Sequence, residues 1–202
     1  IRLQSPKNNR KKMRGRVDPL LLIVHPPGYE EERKYIFNII FNEFLGLPYQ
    51  ILKGSRDRVE VKTLADQDER VLVWPDILFQ TSSEEWLNAG SLPKLPLLRW
   101  RADHDLPEAL LVNPSIPVVY GKPIENQGRW FIQDTRSIQL GIDIAGSAFF
   151  MLTRYEELVL PERDIHRRFP AHASIAFREG FLDIPIVDSY VEILWACIAR
   201  LW

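Results

Sequence analysis

Pro19-Leu-Leu-Leu-Ile-Val-His25, closed by Pro26-Pro27-Gly28, is the stretch on which the reading of the fold turns. A short, nearly continuous apolar run that stops at two prolines and a glycine reads as a buried strand entering a turn. Residues 29–45 then read as a helix. Glu30, Glu31 and Glu32 occupy its first turn, where the helix dipole favours anions, and Ile36, Ile40, Phe44 and Leu47 follow at near-helical spacing. Gly46 supplies the stop, and residues 49–52 read as the next strand. Strand, helix, strand is the opening of a mixed α/β domain.

Working outward, residues 59–63 alternate apolar and charged side chains as a half-buried strand does, and residues 70–74 read as another strand. Residues 77–79 read as a further strand piece beyond Pro75, and 83–88 as a helical turn or two before Gly90. The middle of the chain, 91–123, is punctuated by six prolines and admits short strands but no long helix. Residues 116–120 are its best strand, and 129–133 another. Two carboxyl-terminal helices complete the expectation. One starts near Asp143, with Ile144, Ala148, Met151, Leu152, Tyr155 and Leu158 as its apolar stripe. The other carries Pro185 in its first turn and Tyr190, Val191, Leu194, Ile198 and Leu201 on one face. The whole is a central sheet, mostly parallel or mixed, with flanking helices.

The 202 residues are 46% apolar and 26% charged, the proportions of an ordinary globular chain, and no apolar run reaches the ~18 residues of a membrane span. One cysteine, Cys197, excludes an internal disulfide framework, which fits a reducing, cytoplasmic setting. The net charge of −1 hides an asymmetry: seven of the 26 bases fall in residues 1–16, which hold no acid, so the remainder is acidic. We take residues 1–18 as a basic, disordered leader and 19–202 as one domain that ends ahead of a further domain. An acidic body is not the footprint of a nucleic-acid domain, although the leader keeps open a reading as a nucleic-acid arm.

Tests for known chemistry narrow the field. The ten glycines form neither G-x-G-x-x-G nor a P-loop, and G-x-S-x-G is absent. Ser147 reads as a small packing residue inside a helix. Glu60-Val-Lys62 supplies an E-x-K on a strand, but Pro75-Asp76 comes after it, and Asp57 is too close to serve as the upstream carboxylate of a nuclease. A zinc site would need clustered histidines and cysteines; Asp164-Ile-His166 with His172 is the one cluster that could hold a metal, and it reads first as ion pairing within an Arg-rich loop. The densest polar constellation lies between Asp143, read as a helix cap, and Asp188. Within it, Glu156, Glu157, Asp164 and His166 are the candidates for acid–base work, and Arg154, Arg163 and Arg168 the candidates for holding an anionic sugar. The alternative for the same residues is an ion-pair network that holds a long loop.

Three stretches of this region, Asp143-Ile-Ala-Gly-Ser-Ala-Phe-Phe-Met-Leu-Thr-Arg-Tyr-Glu-Glu157, Arg163-Asp-Ile-His-Arg-Arg-Phe-Pro-Ala171 and Gly180-Phe-Leu-Asp-Ile-Pro-Ile-Val-Asp-Ser-Tyr-Val-Glu-Ile-Leu-Trp195, carry a resemblance. Together with Tyr35-Ile-Phe, Glu43-Phe-Leu-Gly-Leu-Pro-Tyr49 and Ile116-Pro-Val-Val-Tyr-Gly121, they resemble the amino-terminal domain of bacterial polysaccharide deacetylase-like proteins. Two positions depart from that pattern: Ala145 stands where an aromatic is usual, and Arg167 where a glycine is. The resemblance implies a catalytic deacetylase domain on the carboxyl side, with a divalent metal held by an Asp-Asp pair and a His-x-x-x-His. This chain has no Asp-Asp dipeptide, and His25, His104, His166 and His172 include no i, i+4 pair, so no metal or other cofactor is expected within it. The expected role is a non-catalytic module whose partners are the deacetylase domain in cis and a glycan. The other readings are a stand-alone enzyme centred on Asp164 and His166, and the nucleic-acid arm. Trp195 and Trp202 are expected as an aromatic patch left partly uncovered for the partner domain.

Overall fold

The computed structural model describes residues 20–63, 70–124 and 128–202; the basic leader lies outside them. A six-stranded mixed sheet forms the centre. Its strands are β1 (Leu21–His25), β2 (Tyr49–Lys53), β3 (Arg58–Thr63), β4 (Val71–Pro75), β7 (Phe131–Gln133) and β8 (Ser137–Leu140), in the order β2-β1-β3-β4-β8-β7. β1 pairs parallel with β2 and β4 with β8, while β3 and β7 run the other way. β1, β2, β4 and β8 therefore end on the same edge of the sheet. A separate antiparallel ribbon joins β5 (Leu98–Arg101) to β6 (Ser115–Val118).

Alternation along the strands decides which face is buried. Leu21, Ile23, Val59, Val61, Leu72, Trp74, Ile138 and Leu140 are sealed in the core, whereas Leu22, Glu60, Lys62, Val71, Val73 and Gln139 on the opposite face stay half-buried or exposed. Glu60 accepts from both Arg58 and Lys62 there, so its E-x-K neighbourhood is a solvated charge ladder. Helix α1 (Glu30–Phe37) continues without a break into a wider, π-type winding over Asn38–Leu45. Gly46, at φ 67°, ends it as expected. Helix α2 (Ala102–Asp105) is a single turn. The last helix, α6 (Ile186–Leu201), lies across β4 and β8 and touches the π-wound segment, α3 (Ile144–Leu152) and β6.

The structure corrects the sequence reading at two places. Residues 77–79 are not a strand: Leu78–Gln80 is a 3₁₀ turn, because the backbone N–H groups of Ile77 and Leu78 are both drawn to the Asp143 carboxylate. The helix expected to run from Asp143 to Leu158 breaks at Arg154, which is left-handed at φ 55°, into α3 and α4 (Tyr155–Val159). Leu152 and Leu158 consequently fall off the apolar stripe and are exposed. With α5 (Ile175–Arg178), the two carboxyl-terminal helices become four helical pieces. Trp195 and Trp202, expected to be partly uncovered, are partly buried and pack against the core.

Candidate functional site

The edge where β1, β4 and β8 end gathers a buried polar cluster. Asp76, one residue past β4, is sealed from solvent and accepts a two-pronged bond from Arg33 of α1, at 2.8 and 2.7 Å. Gln80 donates to the same carboxylate at 2.8 Å. Arg33, equally buried, spends its Nε on the Gly28 carbonyl and lies over the Phe79 ring at 4.7 Å. His25, at the end of β1, is also buried, and its ring bonds the Pro26 carbonyl. Burial holds its pKa below the usual histidine range.

Asp143 ties this edge to α3. One carboxylate oxygen caps the helix by accepting from the Gly146 N–H, and the other accepts from the Ile77 and Leu78 N–H groups at 2.8 and 3.0 Å. Only glycine fits at position 146, because a Cβ there would sit 2.2 Å from the Asp143 carboxylate. Ser147, the next residue, accepts from the Tyr120 N–H and confirms the packing role read for it. The complete burial of Asp143, reinforced by the Asp76 carboxylate, pushes its pKa up to about 7, against the pull of its three N–H donors.

A cavity of about 420 Å³ opens beside this knot, between the segment that follows β4 and the β5–β6 ribbon. Its polar lining comes from Thr81, Ser91, Lys94, Tyr120 and Trp130, and Ile77, bound to Asp143, is part of its wall. Tyr120 donates to the Ser91 carbonyl, and burial drives its phenol far above its ordinary range, so it stays neutral. The Trp130 ring rests on a glycine platform. A Cβ on Gly121 or Gly141 would fall 3.1 or 3.0 Å from the ring and closer still to backbone oxygens. The Lys94 ammonium, the Thr81 hydroxyl and the Trp130 indole N–H make no bond to another described residue. The lining holds no carboxylate, imidazole or thiol.

Residues 21–202 match the model described as Family of unknown function (DUF7033). The chain belongs to that family. No curated protein and no solved structure matches it.

In this DUF7033 chain the site candidates read from the sequence are held by separate partners. Glu156 is buried, and its carboxylate accepts from the Ile175 N–H at the start of α5; burial raises its pKa. Glu157 pairs with exposed Arg154. Asp164 curls back on its own loop, accepting from the His166 and Arg168 N–H groups and from the Arg168 guanidinium, and these bonds lower its pKa. His166 is exposed, and Arg163 bonds the carbonyls of Glu157, Leu160 and Glu162. The structure thus brings Asp164 to Arg168 and to the His166 backbone, and Arg154 to Glu157, while the Glu156 carboxylate is held by the Ile175 N–H. Arg167, standing where the resembled pattern has glycine, is left-handed at φ 62°, the conformation that a glycine there signals. No group of three His, Cys, Asp or Glu among the described residues is placed to hold a metal ion.

Proposed function

We propose that this DUF7033 domain is the non-catalytic module of a polysaccharide deacetylase-like protein and that it positions a glycan in the cavity between Tyr120 and Trp130. The observation that carries the glycan reading is the cavity itself. It lies against the segment that follows β4, at Ile77 and Thr81, and against the β5–β6 ribbon. It offers an aromatic wall for the apolar C–H face of a pyranose, and the Thr81 hydroxyl, the Trp130 N–H and Lys94 are left over for sugar oxygens. The deacetylase association rests on the three late motifs. In that reading the divalent metal and the hydrolytic water belong to the following domain, and this one contributes affinity and register.

Two results are expected. Reading the gene past Trp202 should give an in-frame continuation with an Asp-Asp pair and a later His-x-x-x-His, and a stop codon there would overturn the deacetylase association. Titration of the domain with N-acetylated hexasaccharides, neutral and acidic, should change tryptophan emission saturably. Trp130→Ala should weaken the tightest of them at least about tenfold, the ~1–3 kcal/mol of a lost stacking contact. No saturable change with any of them up to millimolar concentrations would overturn the glycan reading.

A further inference from the structure

The charge in the cavity says more than its shape. Lys94 is the single ionised group in a lining otherwise made of prolines, aliphatic side chains, hydroxyls and aromatic rings. Glu85, beside Gly90, and Glu179, whose carboxylate is taken by the Leu97 N–H, are not part of that lining. Lys94 stands on a segment braced by Pro93 and Pro96 and is exposed on the solvent side. Among the described residues, no carboxylate neutralises it.

We infer that the cavity selects an acidic glycan, one whose sugar carries a single negative charge, with Lys94 as the group that receives it. The inference rests on the glycan reading above and deepens it. An ammonium is a compact point charge with three donors, suited to a monoanion such as a uronate carboxylate and indifferent to its orientation. Trp130, fixed on the Gly121 and Gly141 backbone, takes the sugar face, and the Thr81 hydroxyl and the indole N–H remain for ring substituents. A neutral sugar satisfies the aromatic wall but leaves the ammonium facing only water.

The test compares a hyaluronan hexasaccharide, which alternates glucuronate with N-acetylglucosamine, against the neutral N-acetylglucosamine hexamer. Both are titrated into the domain by calorimetry at low and at physiological salt. The acidic chain should bind about tenfold more tightly, the worth of one charge-assisted hydrogen bond, and the advantage should shrink as salt rises. In Lys94→Gln the two oligosaccharides should bind alike, and Lys94→Arg should restore most of the preference. Lys94 is exposed, so both variants should melt with the native protein. Equal binding of the two chains to the native domain, or an acidic preference that survives Lys94→Gln, overturns the inference while leaving the glycan reading in place. Binding of neither chain overturns both.

Discussion

Arg33→Met should lower the unfolding free energy by about 3–5 kcal/mol, a large part of the 5–15 kcal/mol that holds a typical domain together. The substitution leaves the Asp76 carboxylate sealed from solvent with only Gln80 and the dry interior around it. It also strands the Gly28 carbonyl, which accepts the Arg33 Nε at 2.7 Å. Arg33→Lys should recover little, because an ammonium cannot reproduce two parallel bonds to one carboxylate while also reaching Gly28. The double variant Arg33→Met, Asp76→Leu should regain much of the loss, since it removes both desolvated charges together. Urea midpoints of the four proteins measure this. A single variant within about 1 kcal/mol of the native protein would mean that water reaches the pair.

Asp143→Asn should cost about 3 kcal/mol, a fall in melting temperature of roughly 10 °C. The amide keeps one carbonyl oxygen for the three N–H groups of Gly146, Ile77 and Leu78 and turns its own N–H₂ against the rest. The wall residue Ile77 loosens with it, so glycan affinity should fall as well. The variant also changes the pH profile. With its pKa raised to about 7 from an ordinary 3.8, folded Asp143 holds a proton that the unfolded chain has already released. The stabilisation this lends is complete below about pH 4 and is lost as pH rises through 7. His25, depressed by burial, contributes the opposite slope as pH rises towards 6.5. The difference between native and Asp143→Asn therefore isolates the carboxylate. It should be largest at the acidic end of a pH 5–8 series and narrow towards the alkaline end. A difference that is flat across the series would show Asp143 ionised throughout.

Legibility from sequence follows how local each determinant is. β1 and α1 were readable because their signals are neighbours in the chain: an apolar run, two prolines and a glycine, and a glycine stop. The Asp143 cap and the packing role of Ser147 were readable for the same reason. β5 and β8 were not. Each is four residues long and β5 lies two residues past Pro96, so the alternation of Leu-Arg-Trp-Arg and Ser-Ile-Gln-Leu is too brief to stand out. The turn at Leu78–Gln80 is imposed by a carboxylate some 65 positions away. The break at Arg154 was hidden because the apolar spacing runs on through it. Arg33 looked like one more charge on a solvated helix, since an arginine is rarely sealed unless paired, and its partner lies 43 residues on. Lys94 and Trp130 are likewise joined only by the fold.

The position of α6 bears on how the protein comes into being on the ribosome. This last helix covers β4 and β8, meets α3 and the π-wound segment after α1, and receives a bond from Arg70 at the Leu201 carbonyl. Until those final residues leave the exit tunnel, the apolar face of the sheet has no lid, and Leu72, Trp74, Ile138 and Leu140 stand open to water and to other nascent chains. A pause in translation placed just before α6 would expose the open sheet face to chaperones and to aggregation.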